Sequence, residues 1–135
     1  MEKPIILVDT SILIDFYRKT NKENSVWIKL VRYGYSFAIS TISKYEIYSG
    51  ASEKQIQFWD EIFRLIDVIP FNEDCVNTAV LINSKLKKKR KQIDIADLFI
   101  ASTAITNDMP IATLNLSHFE RIEELQIIDI NEPYL

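Results

Sequence analysis

The chain has 135 residues, of which 47% are hydrophobic, and it carries a net charge of −3 with one cysteine and one histidine. This length and composition predict a single compact domain over residues 1–135. One Cys and one His exclude an intramolecular disulfide and a zinc cage, so any bound metal must have oxygen ligands. The apolar runs are too short to span a bilayer and the N-terminus lacks a secretion signal, so we expect a soluble cytoplasmic protein that does not enter the membrane.

The first element of the chain organises the rest. Residues 5–8 form an apolar run that is typical of a strand buried on both faces, and the run ends on Asp9. A carboxylate at the C-terminal end of such a strand points into the crevice where open α/β sheets bind ligands. Thr10 and Ser11 can hold this carboxylate or cap the next helix. Asp9 is also a favoured helix N-cap, which would give it only a structural role.

Helices and strands are predicted to alternate along the rest of the chain. Helices are expected at 11–18, 23–33, 43–48, 52–65 and 73–89, and strands at 35–40, 66–70, 109–113 and 126–130. Gly34 and Gly50 are expected to end helices, Thr41 or Ser43 to cap the third helix, and Asn72 to cap the long one. This alternation favours an α/β fold with a parallel sheet of about five strands and right-handed crossovers.

Positive charge is concentrated in one segment. Six of the sixteen Lys and Arg residues lie within residues 85–91, so the remainder of the chain is strongly acidic. The segment is a candidate contact for nucleic-acid phosphates. The alternative is a solvated helix end that is favoured by the helix dipole.

A second informative stretch covers residues 93–105. Its helix is apolar around most of its circumference and should therefore lie inside the protein, yet it carries Asp94 and Asp97, which are spaced to share one face. A buried carboxylate must be protonated, paired with a cation or turned toward a polar crevice. A metal ion answers this electrostatic problem best. Asp94, near the helix start, could instead be only a partner of the helix dipole.

Topology adds two further oxygen donors. Glu46 lies on the helix after the second strand, and Asn115 directly follows the fourth strand. Because parallel strands end at the same edge of a sheet, we expect both residues to converge with Asp9 and Asp97.

Four short motifs occur in a distinctive order. They are ILVDTS at residues 6–11, STISKYE at 40–46, DLFIASTA at 97–104 and ATLNLSHF at 112–119. In this order and spacing the sequence resembles PIN-domain ribonucleases, and in size it resembles the VapC-type toxins of bacterial and archaeal toxin–antitoxin pairs. The resemblance implies an α/β PIN-like domain whose parallel strands follow the order 3-2-1-4-5.

The resemblance also assigns site residues. The acids of the family carry over to Asp9, Glu46 and Asp97, which would act as metal ligands. Ser11 matches the supporting hydroxyl, with Thr10 as the alternative, and Asp94 occupies a position that is often acidic.

Two positions depart from the family pattern. Asn115 stands where relatives often have a fourth Asp, and His118 occupies a neighbouring position that is frequently acidic. The amide oxygen of Asn115 can still orient a metal-bound water, but it brings no charge. This weakens the case for a second metal.

These residues predict a metal-dependent endoribonuclease. Carboxylates repel a phosphodiester unless a hard cation such as Mg²⁺ or Mn²⁺ offsets their charge, and such a cation activates water for in-line attack on phosphorus. The resemblance supplies RNA as substrate, a small antitoxin protein as partner and a homodimer as assembly. Trp59 and Phe63 are predicted to form part of an apolar groove for the antitoxin.

Three alternatives were compared with this prediction. A catalytically weakened PIN fold that binds RNA or a partner protein is kept open by Asn115. A phosphatase of the haloacid-dehalogenase type would need an Asp at the position of Ser11. A receiver domain would need an Asp after the third strand, where residues 69–71 read Ile-Pro-Phe.

Overall fold

Residues 4–131 are described by a computed structural model; residues 1–3 and 132–135 of the predicted domain lie outside this range. Four parallel strands form one sheet in the order β3-β2-β1-β4. They are β1 (Ile5–Val8), β2 (Ser36–Ser40), β3 (Asp67–Ile69) and β4 (Ile111–Ala112). In β1, Ile6 pairs with Phe37 of β2, and Val8 pairs with Ala112 of β4.

Within the described residues, seven α-helices accompany the strands. They are α1 (Thr10–Arg18), α2 (Val26–Arg32), α3 (Thr41–Ser49), α4 (Glu53–Phe63), α5 (Glu73–Lys88), α6 (Ile95–Thr106) and α7 (Leu116–Phe119), with a 3-10 turn at Lys22–Asn24. The predicted alternation of strands and helices is therefore confirmed within residues 4–131, with shifts of a few residues at the element ends.

The predicted fifth strand is wrong. Residues 126–130 contribute only one parallel bridge, between Ile127 and Ile111, although they lie beside β4 as expected. Backbone hydrogen bonds run from Ile111 N to Gln126 O at 2.9 Å and from Ile128 N to Ile111 O at 2.8 Å. Because β4 has only two residues, its outer edge offers too few groups for a longer ladder.

Two helix starts also differ from the prediction. The helix expected over 23–33 begins only at Val26, because Ser25 accepts a hydrogen bond from Ile28 N at 3.3 Å and caps α2. The cap of α3 is Ser40, the last residue of β2, whose hydroxyl accepts from Ser43 N at 3.0 Å. The expected caps, Thr41 and Ser43, lie inside the helix. The predicted cap of α5, Asn72, is confirmed, since its side chain accepts from Cys75 N.

The sheet lies between two apolar layers. Alternate residues of β1 face opposite sides, so that Ile6 and Val8 belong to one core cluster and Leu7 belongs to the other. Half of the residues of α6 are buried, and Ile95 is its one exposed residue, so the helix lies largely inside the protein as its uniform hydrophobicity predicts. Its buried hydroxyls are satisfied within the helix: Ser102 Oγ donates to Leu98 O at 2.7 Å.

Trp59 and Phe63 do not form an exposed groove. Their exposed fractions are 3% and 8%, and their rings stack with centroids 5.4 Å apart in the first core cluster. Trp59 packs against Tyr17 of α1 and Phe63 against Tyr48 of α3, so only Trp59 still lines part of a surface cavity. No helix within residues 4–131 has the length and apolar character needed to span a membrane.

Candidate active site

Asp9 is a buried carboxylate at the junction of β1 and α1. Its side chain is 2% exposed, and Oδ1 accepts hydrogen bonds from Ser11 Oγ at 2.6 Å and from Ile12 N at 3.3 Å. Its second oxygen, Oδ2, accepts from Thr113 Oγ1 at 2.5 Å. Asp9 is therefore the N-cap of α1 and, at the same time, the carboxylate at the sheet edge, so the two predictions for this residue are compatible.

Burial dominates the electrostatics of Asp9. Desolvation raises the pKa of its carboxyl above the ordinary value of 3.8, and the negative charge of Asp97 raises this pKa further. The hydrogen bonds from Ser11, Thr113 and the backbone of Ile12 oppose the rise, because they favour the ionised form. A cation beside Asp9 would favour its ionised form.

Glu46 is held beside the start of α1. Thr10 Oγ1 donates to Glu46 Oε1 at 2.7 Å and also lies 3.1 Å from Ser43 Oγ. Thr10 directly follows Asp9, so α3 brings Glu46 to the edge of the sheet where β1 ends. Glu46 therefore lies at the predicted sheet edge, bonded to the residue that follows Asp9 rather than to Asp9 itself.

Asp97 faces the same edge from the first turn of α6. Its Oδ2 accepts from Asn115 Nδ2 at 3.1 Å and lies 2.8 Å from His118 Nδ1. His118 Nδ1 also lies 2.9 Å from Asn115 Nδ2, so the three side chains form one cluster. Both departures from the family pattern thus put a nitrogen within hydrogen-bond distance of one oxygen of Asp97.

A chain of hydrogen bonds connects the two aspartates. Thr113 Oγ1 donates to Asp9 and accepts from Asn115 N at 2.8 Å, and the Asn115 side chain then donates to Asp97. A second bond, from Leu114 N to Ser11 Oγ at 2.9 Å, ties the segment after β4 to α1. Asp9, Asp97 and Asn115 are therefore parts of one network, whereas the side-chain hydrogen bond of Glu46 comes from Thr10, outside this network.

Sequence reasoning missed two members of this network. Thr113 was noted only as the residue where β4 ends, and His118 only as a departure from the family pattern. Thr113 follows β4 as Asp9 follows β1, so its position at the same sheet edge was a usable signal. The contact of His118 with Asp97 depends on the packing of α7 and had no sequence signal of its own.

Asp94 lies apart from the network. It precedes α6 as an exposed N-cap residue with an extended ψ of 143°, and its side chain makes no capping hydrogen bond. The helix begins only at Ile95, so Asp94 is the N-cap residue of α6 and not a member of the helix predicted from residue 93.

The donor set fits a hard divalent cation. Within residues 4–131 no three His, Cys, Asp or Glu side chains already stand together as a metal-holding group. Mg²⁺, however, commonly binds proteins through one or two carboxylates and keeps several waters. An ionised carboxylate accepts about four hydrogen bonds or metal contacts, and the hydrogen bonds named above use three on Asp9 and two on Asp97. Each aspartate therefore has acceptor capacity left for one ion.

The sequence matches the PIN domain family over residues 6–125. The chain belongs to the PIN domain family. This PIN domain is 39% identical over 131 residues to Ribonuclease VapC1 of Methanocaldococcus jannaschii, a match that covers 95% of the chain and 90% of the relative. It is 30% identical over 134 residues to Ribonuclease VapC1 of Rickettsia felis, covering 93% and 96% respectively. The resemblance to VapC-type proteins is thereby confirmed.

Solved structures agree with this assignment. The PIN domain superposes on VapBC-1 from nontypeable Haemophilus influenzae with a TM-score of 0.81 and 25% identity, covering 95% of this chain and 99% of the other. DNA-bound VapBC from Salmonella typhimurium gives a TM-score of 0.84 at 21% identity with the same coverage, which is evidence for the fold alone.

Proposed function

We propose that this PIN domain is a metal-dependent endoribonuclease that hydrolyses RNA phosphodiester bonds and serves as the toxin of a toxin–antitoxin pair. One observation carries the proposal: a hydrogen-bond chain through Thr113 and Asn115 joins the buried carboxylate of Asp9 to that of Asp97. The similarity to proteins named Ribonuclease VapC over more than nine-tenths of the chain supports RNA as the substrate.

Each site residue then has a defined task. Asp9 and Asp97 hold Mg²⁺ or Mn²⁺ directly or through water, and Glu46 completes the acidic set from α3. When bound, such an ion activates a water molecule and stabilises the leaving oxygen. Ser11 fixes the orientation of Asp9. Asn115 fixes that of Asp97 through its amide.

Two of the residues around Asp97 limit the negative charge of the site, and therefore the number of ions that it can hold. Asn115 and His118 contribute nitrogen donors where acids would add negative charge, so the site favours one tightly held ion over two. Asp94 is exposed at the start of α6 and is assigned a supporting role only, through its negative charge near the helix N-terminus.

RNA cleavage with and without metal tests the proposal. The purified protein should cut single-stranded RNA in Mg²⁺ or Mn²⁺, lose activity in chelator and regain it when metal is restored. Asp97→Asn should lower cleavage by more than about 100-fold, since ligand loss exceeds the 10- to 100-fold effect of outer contacts. Asp108→Asn, an exposed change beyond the other end of α6, is the matched control and should retain full activity. Retained turnover in Asp97→Asn at unchanged melting temperature would contradict the assignment.

The antitoxin part of the proposal draws on the neighbouring structures, which are VapBC complexes and a toxin–antitoxin complex from Klebsiella pneumoniae. A cavity of about 250 Å³ opens beside Glu46 and is lined in part by Ile14, Tyr17 and Arg18. Trp59, although buried, forms part of its wall. An inserted antitoxin side chain would thus reach a site acid directly.

A homodimer is supported by a self-complementary stripe on α5. The stripe consists of Glu73, Val76, Val80, Asn83 and Lys87, which helical geometry places on one face. Val76 and Val80 are 43% and 63% exposed. Glu73 precedes Val80 by as many residues as Lys87 follows it. If two copies of α5 pair antiparallel about a two-fold axis at Val80, Glu73 of each copy therefore faces Lys87 of the other.

Charge reversal tests this interface. Glu73→Lys and Lys87→Glu should each weaken the dimer in sedimentation velocity, and the double variant should restore it. Val80→Lys should yield monomer, whereas Leu65→Lys, at a residue that is 82% exposed outside the stripe, should not. Identical sedimentation of all variants would show that α5 is not the interface.

A second candidate function is a catalytically weakened PIN module that binds RNA without cutting it. The nitrogen donors of Asn115 and His118 on Asp97 favour it, since they occupy acceptor capacity that a metal would use. The metal titration separates the two candidates. The module would bind RNA equally well in Mn²⁺ and in chelator and would never cleave it.

A further inference from the structure

The fold gives the cations of the basic segment 85–91 different surroundings. Lys85 Nζ lies 2.6 Å from Glu124 Oε1, and Lys89 Nζ lies 2.7 Å from Glu123 Oε1. These pairs raise the pKa of Lys85 and lower the pKa of both glutamates. Two of the six positive charges are therefore matched to acids of the same chain.

Other cations converge on a cavity instead. Arg90, Lys91 and Arg121 line a cavity of about 500 Å³ together with Ser117 and Glu120. Arg121 Nη1 donates to Gln92 O at 3.0 Å, which fixes its guanidinium at the wall. Three cations against one carboxylate leave the cavity positively charged within a chain whose net charge is −3.

The backbone at Arg90 provides a second, independent observation. Arg90 has a φ of +54°, the left-handed conformation that favours glycine. It occupies the C′ position of a Schellman motif, in which Lys91 N bonds Leu86 O at 2.9 Å and Arg90 N bonds Lys87 O at 3.0 Å. An arginine at this position strains the backbone, and its side chain lies at the cavity wall.

The cavity and the candidate active site both take residues from α7 and its C-terminal end. Ser117 and Glu120 lie on either side of His118 in the sequence, and His118 contacts Asp97. Arg121 N also donates to His118 O at 3.3 Å. A strand whose scissile phosphate lies at the two aspartates would therefore run past this cavity.

We propose that the cavity formed by Arg90, Lys91, Arg121 and Ser117 binds the backbone phosphates of the RNA strand next to the cleavage point. The proposal rests on the proposed ribonuclease function. Guanidinium groups bind phosphate oxygens bidentately, and a serine hydroxyl adds a neutral donor. Such contacts position a strand without reading its sequence. Because the cations of the cavity displace counterions from the phosphates, binding is salt-dependent, and the carboxylate of Glu120 limits its affinity.

The salt dependence of RNA binding tests the cavity. The full chain carrying Asp97→Asn binds a fluorescent single-stranded RNA without cutting it, and log Kd is measured against log salt concentration. Adding Arg90→Gln and Lys91→Gln should reduce the slope by about 0.7 for each lost phosphate contact. Adding Lys85→Gln and Lys89→Gln removes the same formal charge and is the matched control, for which we expect a slope near that of the parent.

The variant Arg90→Gly distinguishes a role of Arg90 in RNA binding from a purely structural role. Arg90→Gly relieves the left-handed strain, so it should raise the melting temperature while it weakens RNA binding. In protein that retains Asp97, the cavity variants should raise KM for RNA cleavage and leave kcat unaltered. They remove contacts that are equally strong in the ground state and in the transition state.

The outcomes separate this proposal from the proposed function. Equal slope changes in the two double variants would overturn the cavity and indicate a long-range charge effect. Unchanged binding in Arg90→Gln with Lys91→Gln, alongside normal metal-dependent cleavage, would overturn the cavity and leave the nuclease intact. A protein that neither binds nor cuts RNA would overturn both.

Discussion

The two aspartates at the centre of the site occupy different surroundings. Asp9 is buried at the end of a strand and is held by two hydroxyls and one backbone amide. Asp97 lies at the start of a helix with 17% of its side chain exposed, and it is held by the nitrogens of Asn115 and His118. One half of the site is built into the sheet, and the other half borders solvent.

The difference shows how the halves divide the work. The hydroxyls at Asp9 fix its geometry without adding positive charge. A bound cation would therefore stabilise the negative charge of Asp9 more than that of Asp97. The nitrogen donors at Asp97 already supply part of a cation's stabilisation and compete with a metal for one oxygen. We therefore expect Asp9 to dominate metal affinity and Asp97 with its partners to tune it.

Asp9→Asn should give the largest effect and should change activity and stability in opposite directions. Cleavage should fall by more than about 100-fold, because a ligand is lost. The folded pKa of Asp9 is raised, so the folded state binds its proton more tightly than the unfolded chain does. Stability is therefore lost as pH rises from about 3.8 through the folded pKa, and Asn avoids this loss.

Thermal unfolding in chelator at several pH values measures that change. The Asn variant should melt above wild type at pH 7, and the difference should shrink as the pH approaches the unfolded value. Adding Mn²⁺ should stabilise wild type but not the variant. A variant that melts lower at pH 7 would mean that the hydrogen bonds to Asp9 outweigh its desolvation.

Asn115→Asp should have an intermediate effect, and it tests the other half of the site. A carboxylate at this position adds negative charge beside Asp97, so Mn²⁺ affinity measured by calorimetry should rise about tenfold. The metal-free protein should become less stable, because two like charges then adjoin. Asn77→Asp, on an exposed turn of α5, makes the same chemical change away from the site and should alter neither quantity. Unchanged affinity in Asn115→Asp would place the metal away from Asn115.

The smallest effects should come from the supporting contacts, and they should differ between the halves. Ser11→Ala removes a donor to buried Asp9 and an acceptor for Leu114 N, so it should lower the free energy of unfolding by about 1–3 kcal/mol. His118→Ala removes a partly exposed contact and should cost less than about 1 kcal/mol. Denaturant titration measures both. Equal losses would remove the distinction between a buried half and an open half.

Local rules accounted for much of this fold. The apolar run at residues 5–8 and the alternation that follows it led to a parallel α/β sheet, and strand ends led to Asp9 and Asn115. They did so because a buried parallel strand requires a continuous apolar run, which ends where the chain reaches the polar crevice. The same rules overextended the sheet to residues 126–130, where a β-rich sequence meets a strand only two residues long.

The sequence by itself determined that carboxylates and an amide would gather at one edge of a parallel sheet, because the spacing of apolar runs fixes where strands end. Only the tertiary structure decided that His118 bonds Asp97, that Asp94 stands apart, that Trp59 and Phe63 are buried, and which lysines are paired with acids. Those outcomes depend on how helices pack, and packing joins residues that no local pattern relates.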